Sequence, residues 1–518
     1  MPPIPVLSPR QSAEWDRQAD AAGIELATLM DAAGRAVAAV AAARFPDRLR
    51  SGVLVAAGTG NNGGDGWVAA RALHRAGVPV FVAPLPGEGS PLCRRMSGLA
   101  RAEGVRVVEP DGPWPAVGLA LDALLGTGAE GALRPPVQAL VERLLDLAVP
   151  IVAVDGPTGV DLSTGVTRGP AVRAAVSVTF GGVRRGHLLA REEAGEVVVV
   201  DIGHPPPPPD VPRLVSDLEA ATWLPPLKAR DHKGRRGRVV VIGGDAGMTG
   251  ALRLAARAAF GAGAGLVFAA APRDTVAALV QAEPDLQTAI QEFDQPLAGR
   301  LLDLLAGADA VVVGPGLGRG AGRLEFVTAV LERVRRAVID ADGLNAFQGA
   351  EDTLRRLAAG RALVLTPHPG EFRRLFPGRA GSLEHDPWEA AALAAQDCGG
   401  TVLLKGVPSV IAERGRAVWT VAAGNPGLAT GGSGDVLSGL IGTLLAQALE
   451  PATAAALGAQ ILGRAADLAA RRVTARALRP MDVIAALPDL WRSWEASARV
   501  PPAPRPPVLY ELEGPQRW

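Results

Sequence analysis

The sequence predicts two α/β domains, each a doubly wound sheet, and three observations carry the prediction. Short apolar, β-branched runs alternate with alanine- and arginine-rich helical stretches along nearly the whole chain, the pattern of mostly parallel strands covered on both faces. Several of those runs end in glycine-rich turns, where an open parallel sheet gathers its ligands. The alternation is broken once, by five consecutive prolines at 205–209. Such a run makes neither helix nor central strand and behaves as a stiff spacer. At 518 residues the chain also exceeds one ordinary core.

Taken in order, the N-terminal strands are expected at 52–57, 79–84, 105–109, 119–125, 150–155, 174–180 and 196–201. Each is rich in valine, leucine, isoleucine or alanine and is bounded by glycine, proline or charge. The C-terminal strands include 237–244, 265–271, 309–316, 337–342, 362–367 and 401–406. The split falls near 205–225, giving domains at 1–215 and 222–498 and a proline-rich tail at 499–518. For that tail, disorder and packing against a neighbour both stay open.

Composition narrows the function. With 48% hydrophobic and 20% charged residues and zero formal net charge, nothing points to nucleic acid or to a charged tail. Cys93 and Cys398 give no disulfide framework, which fits a reducing compartment. No secretory signal opens the sequence, and the apolar stretch 258–272 is too short and glycine-rich to span a bilayer. A cytoplasmic location without a membrane partner is the expectation. Of 53 basic residues, lysine occurs only as Lys228, Lys233 and Lys405. Where arginine supplies generic positive charge, a retained lysine is a candidate for a place that wants a compact ammonium, with chance survival the alternative.

The N-terminal strand ends carry oxygen donors. Strand 52–57 runs into GTGNNGGDGW (58–67), whose glycines, asparagines and Asp65 suit a phosphate cradle. Asp122 lies in the strand before GTGAEGA, and Asp155 ends the strand before GPTGVD, with Thr158 just beyond. Asn62, Asp122 and Thr158 form a set that suits a hard cation rather than zinc. Singly, Asp122 and Thr158 are equally ordinary turn and cap residues.

The C-terminal side has a sharper signal in NPGLATGGSGD (425–435). Gly431, Gly432 and Gly434 precede Asp435 and an apolar helical run. A glycine-rich turn opening a helix is an anion site, because bare N–H groups and the helix dipole converge there. A carboxylate would be repelled by bound phosphate, so Asp435 reads as a base beside a group to be phosphorylated. The plainer alternative is a helix cap.

These motifs carry a family resemblance. GTGNNGGDG, DALLGTG and VDGPTGVD, with the opening LATLMDAAGRAVA, resemble the NAD(P)H-hydrate epimerase family. HKGRRGRVVVIGGDAGMTGA, GPGLG, DADGLNAF, TPHPGEFRRL, LLKG and the GGSGD segment resemble the ADP/ATP-dependent NAD(P)H-hydrate dehydratase family. The two together cover roughly residues 10–490, each through several ordered motifs. The resemblance implies a Rossmann-like epimerase domain followed by a ribokinase-like dehydratase domain. Their ligands would be hydrated NADH or NADPH and ADP or ATP, with potassium in the first domain and magnesium in the second. A homo-oligomer is the expected assembly, though no residue specifies it.

Site residues follow position by position. The resemblance makes Asn61, Asn62, Gly63, Gly64, Asp65, Gly126, Thr127, Gly128, Ala129, Glu130, Gly131, Ala132 and Asp155 hydrate contacts of the epimerase, with Asp155 catalytic. It makes Asn62, Asp122 and Thr158 the potassium ligands. In the dehydratase, Ala251, Gly316, Gly318, His368 and Asp435 would line the hydrate site, with Asp435 catalytic. Lys405, Gly406, Val407, Pro408, Ser409 and Gly434 would hold the nucleotide. His368 has a second reading, a histidine satisfying backbone groups in the rigid turn TPHPG.

Three departures from the family pattern stand out. Ala129 and Glu130 replace a larger apolar or basic residue, Ser409 replaces threonine but keeps the hydroxyl, and Gly156 replaces isoleucine. The last is expected to loosen the turn that aims Asp155. Two other functions stay open at this point: a ribokinase-like enzyme phosphorylating a stable hydroxymethyl substrate, and an N-terminal domain that binds cofactor without catalysis.

Overall fold

The structure, a computed structural model, describes residues 4–129, 131–499 and 507–515. The chain divides into two compact units between Leu214 and Val215, and the described part of the C-terminal segment belongs with the first.

The N-terminal unit is built on one eight-stranded sheet. Its order is Val508–Leu512, Glu196–Val200, Val176–Phe180, Ile151–Val154, Leu119–Ala123, Val53–Ala57, Val80–Pro84, Arg106–Val107. All neighbours run parallel except the first pair, which is antiparallel. Val53–Ala57, Leu119–Ala123 and Ile151–Val154 are buried throughout, as continuous apolar runs require. Strand order reverses between Val53–Ala57 and Leu119–Ala123, so the ligand crevice lies at their carboxyl ends. Helix Asn61–Arg75 packs over this point because Gly66 has no side chain; a Cβ there would lie 2.5 Å from that of Ala123. Helix Leu26–Arg44 is long and apolar enough to cross a membrane, yet Met30, Val37 and Ala41 bury it in the core of this unit.

The C-terminal segment, left open by the sequence, supplies the edge strand Val508–Leu512 beside Glu196–Val200. Tyr510 and Leu512 are buried, and Arg44 bridges Glu196 and Glu511 at 2.6 and 2.7 Å.

In the C-terminal unit nine strands follow the order Gln287–Ile290, Leu266–Ala271, Arg238–Ile242, Ala310–Val313, Arg336–Ile339, Ala362–Leu365, Thr401–Leu404, Ser409–Ala412, Trp419–Val421. The first seven are parallel and the last two fold back antiparallel. Helices Thr249–Gly261, Ser433–Ala446, Pro451–Val473 and Pro480–Arg499 bury an alanine- and leucine-rich core against the sheet. Gly439 lets two of them close up, since a Cβ there would meet the Ala255 carbonyl.

The residues around the joint make contacts of their own. The prolines do not stand free: Trp15 Nε1 donates to the Pro205 carbonyl at 3.2 Å and stacks on His204 at 4.3 Å. The second unit begins at Val215. Helix Asp217–Trp223 opens it, and the Asp217 carboxylate accepts from Gln460 Nε2 at 2.7 Å and Arg464 Nε at 2.9 Å.

Candidate active sites

In the N-terminal unit the helix starts at Asn61, so NNGGDG is a first helical turn and not the loop the sequence suggests. Its glycines serve packing first. A Cβ at Gly63 would strike the Gly58 carbonyl, and one at Gly64 would lie 2.6 Å from Met30 Sδ. The N-cap, Gly60, gives no side-chain cap, so the anion-binding character belongs to the open helix start. Asn61 is exposed and accepts from Ser90 Oγ at 2.9 Å.

Asn62 differs from its neighbour. Both atoms of its amide are buried without a hydrogen-bond partner, an arrangement that costs about 1–3 kcal/mol unless a ligand completes it. Asn62 abuts Gly126, where a Cβ would lie 3.1 Å from Asn62 Oδ1. Asp122 is fully buried and accepts from Thr158 Oγ1 and N at 2.7 Å each and from Leu124 N at 3.2 Å. Burial pushes its carboxyl up to about 6, against the Thr158 bonds that lower it. The donors are all neutral or anionic oxygens, and an added cation would offset the buried charge of Asp122. They fit potassium.

Asp155 sits in a γ-turn. Its φ is 63°, and Gly156 N donates to Val154 O at 2.8 Å across it. A non-glycine residue there costs roughly 1–3 kcal/mol and persists only where its surroundings over-determine it. Asp155 N donates to Val178 O at 2.8 Å, and its carboxylate accepts from Thr127 N at 3.1 Å and Thr179 Oγ1 at 3.3 Å. Arg184 Nη2 lies 3.1 Å from Asp155 Oδ1, with both side chains buried. His187 Nδ1 accepts from Arg184 N at 3.2 Å, while its Nε2 is buried without a partner. Burial lowers the His187 pKa to about 4, so the ring is neutral although the Asp155 charge works to raise it. Asp65 is pushed well above the usual carboxylate range by burial and by Asp155.

Gly156 does not loosen this turn. A Cβ there would lie 2.8 Å from the Leu162 methyls and 3.1 Å from His187 Nε2, so it is the tight packing that selects glycine. Of the adjacent loop, Gly126 and Thr127 face the site, and Ala129 N closes a turn onto Gly126 O at 3.2 Å. A Cβ at Gly128 would meet nothing within 4 Å, and Gly131, with φ 81°, leads into Ala132. Glu130 lies outside the described residues.

In the C-terminal unit the strand ends assemble a buried charge cluster. Asp340 follows strand Arg336–Ile339, is 1% exposed, and pairs with Lys405 Nζ at 2.9 Å. Lys405 Nζ also lies 3.6 Å from Glu371 Oε2. Burial works to lower the Lys405 pKa, but Asp340 and Glu371 overcome it and leave it raised. Gly434, in the first turn of helix Ser433–Ala446, abuts this pair: a Cβ would lie 3.3 Å from Lys405 Nζ and 3.5 Å from Asp340 Oδ2.

Asp435 is the next residue. It does not cap its helix, because the N-cap is Gly432 at φ 100° and no side-chain cap bond forms. Burial raises its pKa to about 7, helped by Asp340, Asp342 and Glu371 and opposed by Lys405. That is the poise of a general base at neutral pH.

Ala251 and Gly316 come together, and Gly318 reaches Asp342, whose charge helps raise the Asp435 pKa. A Cβ on Gly316 would lie 3.2 Å from that of Ala251, and Gly318 N donates to Asp342 Oδ2 at 3.0 Å. His368 is the N-cap of Pro369–Leu375: its Nδ1 accepts from Gly370 N at 3.0 Å, while its Nε2 faces Glu371 Oε1 at 3.4 Å. The turn reading therefore holds for Nδ1. Burial lowers the His368 pKa, opposed by Glu371, and because Nδ1 accepts from Gly370 N, Nε2 is the nitrogen turned away from the turn. Gly406, Val407 and Pro408 form an outward loop with Val407 76% exposed, and Ser409 Oγ donates back to Gly406 O at 3.2 Å.

Asp340, Asp342 and Glu371 lie inside motifs quoted from the sequence, yet only the structure gathers them. Thr179, Arg184 and His187 carried no sequence signal.

Comparison with known proteins agrees with both halves. The NAD(P)H-hydrate dehydratase family profile matches residues 239–489, and that of the YjeF-related protein N-terminus matches 26–186. A bifunctional NAD(P)H-hydrate repair enzyme of Moorella thermoacetica is 38% identical over 475 residues, covering 86% of this chain and 88% of that protein. One of Escherichia coli is 36% identical, covering 90% of each. A solved ADP/ATP-dependent NAD(P)H-hydrate dehydratase from Bacillus subtilis, co-crystallised with ATP/Mg2+, is 25% identical with a TM-score of 0.47, covering 54% of this chain and 97% of that one. The chain belongs to the bifunctional NAD(P)H-hydrate repair enzymes, joining an NAD(P)H-hydrate epimerase to an ADP/ATP-dependent NAD(P)H-hydrate dehydratase.

Proposed function

We propose that the N-terminal unit interconverts the R and S epimers of hydrated NADH and NADPH. The C-terminal unit then dehydrates the S epimer, consuming ADP or ATP and releasing AMP or ADP with phosphate. The observation that carries this reading is the placing of Asp435, a carboxyl whose pKa burial raises to about 7, at an open helix start whose preceding residue, Gly434, abuts the Lys405–Asp340 pair.

Hydroxide leaves a ring carbon poorly, and phosphate leaves well. Asp435 takes the proton of the ring hydroxyl as its oxygen attacks the terminal phosphoryl group, and the bond to the nucleotide breaks. The helix start at Gly434 and the Lys405 ammonium stabilise the charge on the transferring group. The carbon–oxygen bond then breaks, phosphate departs with the electron pair, and loss of a proton from the neighbouring carbon restores the ring double bond. His368 Nε2, aimed at Glu371, orients the ring.

Among the described residues no three acidic, histidine or cysteine side chains hold a metal alone. Asp340 and Glu371 suit magnesium held partly by nucleotide phosphates, where it would neutralise charge on the transferring group. In the epimerase, Asn62, Asp122 and Thr158 would hold potassium, which fixes the loops around the substrate. Asp155 moves the proton at the hydroxyl-bearing carbon, with Arg184 keeping its carboxylate in place. The free buried thiols of Cys93 and Cys398 support a cytoplasmic location.

The test incubates purified protein with mixed hydrate epimers and ADP or ATP. Both epimers should disappear, with reduced cofactor and inorganic phosphate appearing in equal amounts. A stable phosphorylated organic product would overturn the reading in favour of a kinase.

A further inference from the structure

We propose that the epimerase reads the 2′-phosphate of hydrated NADPH through Arg94 and Arg101, in a cleft that holds the adenosine half of the substrate. The proposal rests on the N-terminal unit acting as the epimerase with Asp155 at the ring. Strand order reverses between Val53–Ala57 and Leu119–Ala123, and a dinucleotide lies across such a reversal with its halves over opposite sides. Asp155 ends Ile151–Val154, on one side. With the pyrophosphate on the helix start at Gly60, the adenosine is directed over the ends of Val80–Pro84 and Arg106–Val107.

A cleft of about 410 Å³ opens there, within the ~300–1,000 Å³ usual for small-molecule sites. It begins at Gly58 and Thr59, beside the proposed pyrophosphate position, and is walled by Leu85 and Val108, the residues following the two strands. Helix Pro91–Ala102 turns Arg94, Ser97 and Arg101 into it, three residues at one helical spacing. The Arg101 guanidinium lies 5.3 Å from the ring centroid of Trp67, which is 2% exposed, and it pairs with no carboxylate among the described residues. Arg94 is held by Glu88 at 2.9 Å and by the Gly89 carbonyl at 2.7 Å, on an exposed rim from which it can turn. One carboxylate, Glu109, lines the same space. Glu88 already balances Arg94, so the guanidinium that invites an anion is that of Arg101, with Arg94 joining it if the phosphate replaces Glu88; arginine binds phosphate bidentately. Hydrated NADH brings only a hydroxyl to this place.

The test compares the full chain with Arg101→Gln and with the double variant Arg94→Gln/Arg101→Gln. Epimer interconversion is followed chromatographically without ADP. For hydrated NADPH, KM should rise about tenfold with kcat unchanged; for hydrated NADH both constants should stay within about twofold. Adenosine 2′,5′-bisphosphate should inhibit wild type more strongly than AMP, and the difference should vanish in the double variant. Equal effects on the two hydrates, or a bisphosphate no better than AMP, would overturn the proposal. If wild type interconverts neither hydrate, the epimerase reading falls instead. Calorimetric titration with the bisphosphate, unchanged between wild type and double variant, would then overturn the subsite as well.

Discussion

Asp435 shows how a single residue can serve chemistry at the expense of stability. Its folded-state pKa of about 7 stands above the ordinary carboxylate value, mainly because of burial and then Asp340. In the ligand-free protein this works against the folded state as pH rises. Between about pH 4 and 7 the folded chain binds more protons than the unfolded one, so stability falls through that window and then levels. Asp435→Asn removes the contribution. Its melting temperature should match wild type near pH 4 and exceed it by a few degrees at pH 8. Dehydration should fall by about a hundredfold or more, with epimerisation intact; a rate within tenfold of wild type would remove Asp435 from its role. The N-terminal counterparts separate in the same way. Asp155→Ala should stop interconversion while the S epimer is still dehydrated. Asp122→Ala should abolish any potassium stimulation, and stimulation that persists would place the cation elsewhere.

Among the elements, helix Asn61–Arg75 was legible as chemistry and illegible as packing. Its glycines advertise a phosphate loop, but Gly63, Gly64 and Gly66 are glycine because the Gly58 carbonyl, Met30 and Ala123 leave no room. No local pattern distinguishes those two causes. Gly66→Ala should therefore destabilise by about 1–3 kcal/mol through overpacking, outweighing the ~1 kcal/mol that alanine contributes in a helix interior. Gly98→Ala, in helix Pro91–Ala102 with nothing within 4 Å, should be neutral or stabilising. Thermal melts of the pair decide the point, and equal shifts would refute it. The buried parallel strands were readable from their apolar runs. Strands Gln287–Ile290 and Val508–Leu512, partly exposed at sheet edges, gave a weaker pattern. The γ-turn at Asp155 was invisible, because its cause lies in Arg184, His187 and Thr179, brought in from later strands and turns.

At the scale of the whole molecule, the two α/β units follow from the alternation of strands and helices, and the units divide just after the proline run, at Leu214 and Val215. Helix Asp217–Trp223 packs on the second unit through Gln460 and Arg464. A fragment of residues 215–499 should dehydrate the S epimer at about the full-chain rate, whereas one starting at 222 should melt several degrees lower. Equal melting of the two would show that the helix contributes nothing. The first unit has no such independence from the rest of the chain, because Val508–Leu512 pairs with Glu196–Val200 across ~300 intervening residues. At ~5–20 residues per second, the ribosome needs roughly 15–60 s to make them. For that time the valine-rich edge waits without its neighbour, open to pairing with another nascent chain. A strand made that late completes the sheet of the first unit, so damage to Val508–Leu512 would be felt by the epimerase.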